Sequence, residues 1–245
     1  MSEPNTDVIK QLAPTGTLRA ALNMNNFLLV VGENEAGQPI GPSPDMAAAI
    51  AEALGVSLQL VPFRSPSDIT AAAGSGQWDI ANIGAESQRA KVMDFTPAYC
   101  EIEANYLVPA GSSLQSVEDV DRSGVTISAP AGSAYSLWLE NNIQYADLRL
   151  VKGNAVEQFT QDGLDALAGL RSQLVTIEQE IAGSRVLPGQ FTAVQQAVAV
   201  NKGRAEALSW LIDFVETSKS SGQVAGFIAA HGVEEQLSVA PPATS

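Results

Sequence analysis

A chain of 245 residues with 45% hydrophobic side chains is long enough to bury a large core. Its formal net charge of −14 creates a field that repels nucleic acid and anionic membrane surfaces, so neither is an expected partner. One cysteine, Cys100, rules out an intramolecular disulfide, and a single histidine, His231, leaves the usual zinc ligand sets out of reach.

No apolar run reaches the ~20 residues that span a bilayer; the longest candidate, 47–54, is short and broken by Glu52, so no membrane insertion is expected. No D-x-D-x-D-G loop offers oxygen ligands to a metal, and no cofactor motif is present, so neither a metal nor a cofactor is expected. A Ser-His-Asp or Cys-His mechanism would have to use His231, which falls at an expected helix end, and no catalytic residue is assigned. Residues 1–16 are polar and lack the apolar core of a secretory leader; the expectation is a leader removed or a protein made without one.

Short β-like runs alternate with amphipathic helical runs, the pattern of an α/β protein. Residues 17–23 read as the first strand. A helix is expected from Asp45, with Met46, Ile50, Ala53 and Leu54 on one face and Gly55 as its stop. Residues 56–61 form the next strand, Pro66-Ser67-Asp68 starts a helix that ends at Gly74-Ser75-Gly76, and 79–83 is a short apolar strand. A helix start carrying Arg89 is expected after it. A second block follows, with strands at 125–129, 148–151 and 164–167. Its helices run through Trp138 and Leu139, over 155–161, and over 171–181. Two βαβ blocks of this size suggest two lobes rather than one sheet. Extended segments at 100–109 and 191–200 fit two strands that cross between the lobes. The tail from Lys202 is helical, with Ala207, Trp210, Leu211 and Phe214 on one face. It breaks at Ser220-Ser221-Gly222, resumes to His231, and Pro241-Pro242 ends ordered structure. Trp78, Trp138 and Trp210 are read as core, and the sequence shows no internal repeat.

Arg89 carries the most chemistry. An arginine just past a strand's carboxyl end can receive a small anion with its bidentate fork and nearby backbone N–H groups. The same spacing also fits a surface pair with Glu86 three residues earlier.

Five motifs occur in order. Gly41-Pro42-Ser43-Pro44-Asp45-Met46-Ala47 looks like a glycine–x–x–x–aspartate–apolar–alanine helix start, and Gly76-Gln77-Trp78-Asp79 like a glycine–x–aromatic–aspartate strand start. Arg89-Ala90-Lys91-Val92-Met93-Asp94-Phe95-Thr96 is similar to an arginine–alanine–x–x–x–aspartate–phenylalanine–serine signature. Ala131-Gly132-Ser133 and Gly163-Leu164-Asp165-Ala166 complete the series. Together they resemble the family 3 solute-binding proteins, the amino-acid-type receptors of ABC transporters. The resemblance implies a two-lobe Venus-flytrap of the type II periplasmic binding protein class. Lobe 1 would hold 1–104 plus 198–245, and lobe 2 would hold 105–197. It further implies a small ligand bound in the cleft, hinge closure through the crossing segments, a monomer, a periplasmic location and an ABC transporter permease as partner.

The chain departs from that family in two places. The turn before Arg89 is about two residues shorter than usual, and Glu86 stands at the capping place, where glutamate serves poorly. Leu170 stands where amino-acid receptors usually carry the aspartate that takes the ligand's ammonium. That loss argues against a plain α-amino acid and leaves a small carboxylate, or a cation read by Glu101 or Glu103.

The expected ligand-binding residues are Arg89 for the anion, Gly132 and Ser133 at a helix start, and Asn26 with Phe27 after the first strand, where Phe27 could equally be core. Asn82 could face the cleft or close a turn. Tyr135, Gln195, Gln196 and Glu103 are further candidates, each with an ordinary surface role beside it. The expected activity is a non-catalytic receptor for a small carboxylate-bearing ligand. The alternatives are an enzyme resembling the cyclohexadienyl dehydratases, using Glu86, Glu101 or Glu103 as a protonated acid, and a leaderless cytoplasmic sensor.

Overall fold

The computed structural model describes residues 3–243. They divide into two units, the first running to Glu101 and resuming at Gln195, the second covering Ile102–Val194. In unit 1, helix α1 (Thr6–Leu12) precedes strand β1 (Thr17–Asn23). A hairpin of β2 (Gly32–Glu33) and β3 (Pro39–Ile40) leads to α2 (Pro42–Leu54), and then come β4 (Ser57–Phe63), α3 (Pro66–Ala71) and β5 (Ile80–Gly84). A three-residue 3-10 turn, Arg89–Lys91, leads into β6 (Met93–Val108), whose second half belongs to unit 2. Unit 2 continues with β7 (Thr126–Pro130), α4 (Ala134–Asn142), β8 (Asp147–Val151), α5 (Ala155–Gln161), β9 (Ala166–Leu170), α6 (Arg171–Glu180) and β10 (Arg185–Val186). Strand β11 (Thr192–Asn201) returns the chain to unit 1, which ends with α7 (Ala205–Ser220), α8 (Gln223–Ala230) and β12 (Ser238–Val239).

Both units use one topology. In unit 1, β1 lies between β4 and β5, parallel to both, and β11 pairs antiparallel with β5. In unit 2, β7 lies between β8 and β9, parallel to both, and β6 pairs antiparallel with β9. The α/β class and the type II periplasmic binding protein fold inferred from the alternation and motifs are what the chain adopts.

The same aspartate latch closes each three-strand set. In unit 1, Asp79 N–H donates to the Arg19 carbonyl at 2.8 Å, and Arg19 N–H donates back to Asp79 Oδ2 at 3.1 Å. In unit 2, Asp165 N–H donates to the Thr126 carbonyl at 3.1 Å, and Thr126 N–H returns to Asp165 Oδ2 at 2.8 Å. Each latch ties the first strand to the third at their amino ends. The unit 1 latch is ionic: the Arg19 fork meets the fully buried Asp79 through Nε and Nη2, both at 2.8 Å, and Arg204 Nη1 stands 3.6 Å away. Thr126 Oγ1 supplies the neutral equivalent in unit 2, at 2.7 Å.

Core packing follows the apolar faces. Trp78, Ile69, Ile83 and Met93 share one cluster in unit 1, and Trp78 Nε1 donates to the Ile69 carbonyl at 3.2 Å. Trp210 is buried, whereas Trp138 is only partly so and tilts onto Phe191.

Several elements differ from the sequence reading. Helix α1, which the polar start concealed, is capped by Asn5 and buries Val8 and Leu12. Helix α2 begins at Pro42, three residues before Asp45, because prolines suit the first turn. No α-helix starts at Arg89: the strand pattern resumes at Met93 and leaves room for one 3-10 turn. Strand β9 runs on to Leu170, which then leads directly into α6.

Removing one partner of a buried ion pair strands the other charge, so Asp79→Ala should cost about 3–5 kcal/mol. Asp165→Ala loses hydrogen bonds to uncharged partners and should cost about 1–3 kcal/mol. Urea unfolding of both variants checks the order; equal losses would contradict the ionic role of Asp79.

Candidate functional site

In a parallel set ordered second–first–third, the loops leaving the first and third strands diverge, and ligands of such sheets bind at those carboxyl ends. In unit 1 these are the loop after β1 and the turn after β5. In unit 2 they are the loop after β7 and the junction of β9 with α6. The latches lie at the opposite ends of the strands.

The turn after β5 is pinned by Ala85 N–H, which donates to the Gln195 carbonyl of β11 at 2.8 Å, and by Ala90 N–H, which donates to the Glu86 carbonyl at 2.9 Å. Arg89 folds back across it. Nη1 donates to the Gly84 carbonyl at 2.7 Å and lies 3.2 Å from Glu86 Oε1; the Arg89 and Glu86 side chains are 16% and 20% exposed. Among the described residues, Nε and Nη2 take no hydrogen bond, so the side edge of the guanidinium keeps a free two-donor fork. Burial lowers the Arg89 pKa, with Glu86 opposing. Burial likewise raises that of Glu86, and the Arg89 charge only partly offsets it.

The loop after β1 is turned by Asn26. Its carbonyl accepts Leu29 N–H at 3.0 Å and Val30 N–H at 2.9 Å, and its Oδ1 accepts Leu28 N–H at 3.3 Å. The turn buries Leu29 and Val30 and leaves Phe27 76% exposed, so the core alternative for Phe27 does not hold. The N-terminus of α2 closes onto this loop. Ser43 N–H donates to the Leu29 carbonyl at 3.0 Å, and a Cβ on Gly41, at φ 145°, would lie 2.4 Å from that oxygen. Only glycine fits there.

Asn82 does not reach the surface. It is 1% exposed, and its Nδ2 donates to the Ser43 carbonyl at 2.7 Å, while Ser43 Oγ meets Tyr99 OH at 2.8 Å. Its Oδ1 is buried without a partner among the described residues. The expectation that Asn82 could face an open cleft is corrected: its place in a fully buried strand makes it a strut between β5 and α2. Gln196 is likewise 4% exposed within β11, while Gln195 Nε2 holds Glu101 Oε1 at 2.6 Å. His231 Nε2 sits 2.8 Å from Asp45 Oδ2, and Cys100 is buried, which pushes its thiol pKa up.

In unit 2, Gly132 takes φ +78°, a conformation that favours glycine, and delivers Ser133 as the N-cap of α4; Ser133 Oγ accepts Ser136 N–H at 3.1 Å. Tyr135 packs inside the cluster with Tyr106 and Leu139, so its expected lining role gives way to a core role set by the inward face of α4. Leu170 packs on the same cluster. Beside it Arg171, which the sequence reading passed over, places Nε 3.7 Å from Glu103 Oε2 and turns Nη1 toward the Gly189 carbonyl at 3.3 Å. Its only signal was a base directly after the expected acid position. The structure thus gathers Arg89, Glu86, Asn26 and Phe27 at the strand ends of unit 1. It gathers Gly132, Ser133, Glu103 and Arg171 at those of unit 2, and it withdraws Asn82, Gln196 and Tyr135 into the interior.

Two units of this topology with polar strand ends define a binding-protein architecture. The sequence profile of the bacterial extracellular solute-binding proteins, family 3, matches residues 19–232, and the chain belongs to that family. An ancestral cationic amino acid solute-binding protein is similar at 22% identity and TM-score 0.63, covering 92% of this chain and 99% of its own. The arginine-bound substrate-binding protein AbpA of an amino acid ABC transporter from Streptococcus pneumoniae gives 23%, 0.65, 91% and 97% in the same order. An ancestral cyclohexadienyl dehydratase gives 17%, 0.54, 91% and 95%. These likenesses concern the fold. No curated protein matches the sequence.

A glutamate whose pKa is higher in the folded than in the unfolded chain gives stability below its unfolded value and loses it as pH rises through the folded one. Glu86→Gln should therefore melt above wild type at neutral pH, and the difference should vanish below the ordinary glutamate range. Scanning calorimetry across that range checks the sign; a variant less stable at neutral pH would show that the ion pair outweighs burial.

Proposed function

We propose that the protein is a non-catalytic receptor that closes around a small carboxylate-bearing solute and presents it to an ABC transporter permease. The observation that carries this reading is the free Nε–Nη2 edge of Arg89, half-sheltered at the carboxyl end of β5 in a chain of this family. A guanidinium edge with two parallel donors matches a carboxylate. In this reading Phe27 and Asn26 flank the ligand at the strand ends of unit 1. The chain crosses between units inside β6 and β11, which supports a hinge carried by two strands. The receptor acts as a monomer, and the family supports a location outside the cytoplasm.

The dehydratase alternative is not favoured. It needs a protonated carboxylic acid at the reacting atoms. Glu101 is held by Gln195, Glu103 faces Arg171, and Glu86 is paired with Arg89.

A thermal-shift panel of small carboxylates and amino acids tests the reading. Saturation at about 100 times Kd adds about 2.7 kcal/mol, roughly 5–10 °C in a chain of this size. Arg89→Ala should abolish the shift. A panel in which nothing stabilises the wild type, or a shift that survives Arg89→Ala, would overturn it.

A further inference from the structure

Glu86 is set against Arg89 at the carboxyl end of β5. Its side chain forms an ion pair with Arg89 Nη1 at 3.2 Å, takes no hydrogen bond from the described residues, and is 20% exposed. Nη1 also serves the Gly84 carbonyl, so the guanidinium is fixed from one side and offers an incoming anion only Nε and Nη2. An anion on that edge lies one guanidinium width from the Glu86 carboxylate. With Arg89 between them, the site then holds two negative charges and one positive in partly dry surroundings. Like charges at that spacing disfavour joint ionisation.

We propose that Glu86 is a specificity-determining residue: an internal carboxylate that competes with the ligand's own for Arg89, so that a carboxylate enters together with a proton on Glu86. This rests on the reading of Arg89 as the ligand anchor. The balance is simple. Before binding, Glu86 carboxylate and Arg89 cancel; after it, the ligand carboxylate and Arg89 cancel and Glu86 is neutral, with one proton taken from solvent. Burial already inclines Glu86 toward the neutral form. Around the turn, strand β11 contributes the neutral Gln195 and Gln196, β6 contributes Glu101, engaged by Gln195, and Lys91 on the turn itself is exposed. Arg89 is the charge that acts on Glu86. The device favours ligands that bring a single carboxylate to this edge, and it makes uptake stronger in acid than in alkali.

The test uses acetate, a bare carboxylate, followed through the Nε–Hε resonance of Arg89 in nitrogen-15-labelled protein between about pH 5 and about pH 8. Glu86→Gln should bind acetate about tenfold or more tightly than wild type at the upper pH. Its affinity should stay flat with pH, while wild type gains affinity as pH falls. Calorimetry of wild type with acetate in two buffers of different ionisation enthalpy should report uptake approaching one proton, an arm that needs no variant. If acetate moves the Arg89 resonance equally in both proteins, or binds Glu86→Gln more weakly, the role of Glu86 falls and the anchor stands. If acetate leaves the resonance unmoved in both, the anchor falls and the proposal with it.

Discussion

The structure depends on a pair of aspartates that each lace a first strand to a third. A parallel set in which the first strand lies in the middle has no hairpin to fix its register; the crossover helices bring strands side by side without saying how far each should slide. Asp79 and Asp165 remove that freedom by exchanging main-chain and carboxylate bonds with Arg19 and Thr126 at the amino end of each set. With the register pinned there, the carboxyl ends arrive at defined heights, and the residues that follow them are placed without support from one another.

That separation explains how the site differs from its scaffold. The latch residues are locked by several bonds apiece, while Arg89 and Ser133 stand on short turns with one or two anchors each. The turn after β5 is held by main-chain bonds to Gln195 and Glu86, so its side chains can change without releasing the strand. Glu86 is such a change. It stands just before the three-residue 3-10 turn, which has no side-chain cap.

The fold was legible because alternation and amphipathic spacing are properties of neighbours in sequence. Strands β1, β5 and β7 and the buried face of α7 could be read from local pattern. Helix α1 escaped because seven residues carry only two buried positions. The site was less legible. Arg89 and its approach to Glu86 follow from a three-residue spacing, but the burial of Asn82, Gln196 and Tyr135 depends on which face of an element meets the core. Polar residues on a buried face leave no periodic signature. The repeat of the latch was invisible for a related reason: an arginine serves one and a threonine the other, and only the aspartate is shared.

Phe27 has a thermodynamic consequence of its own. A phenyl ring 76% exposed beside a tightly bonded turn keeps its hydration shell in the free protein. A solute that covers the ring releases that water, and burial of apolar surface lowers the heat capacity of the complex. The enthalpy of association would then grow more favourable with temperature, and the steepness of that slope would measure how much of residue 27 the solute hides.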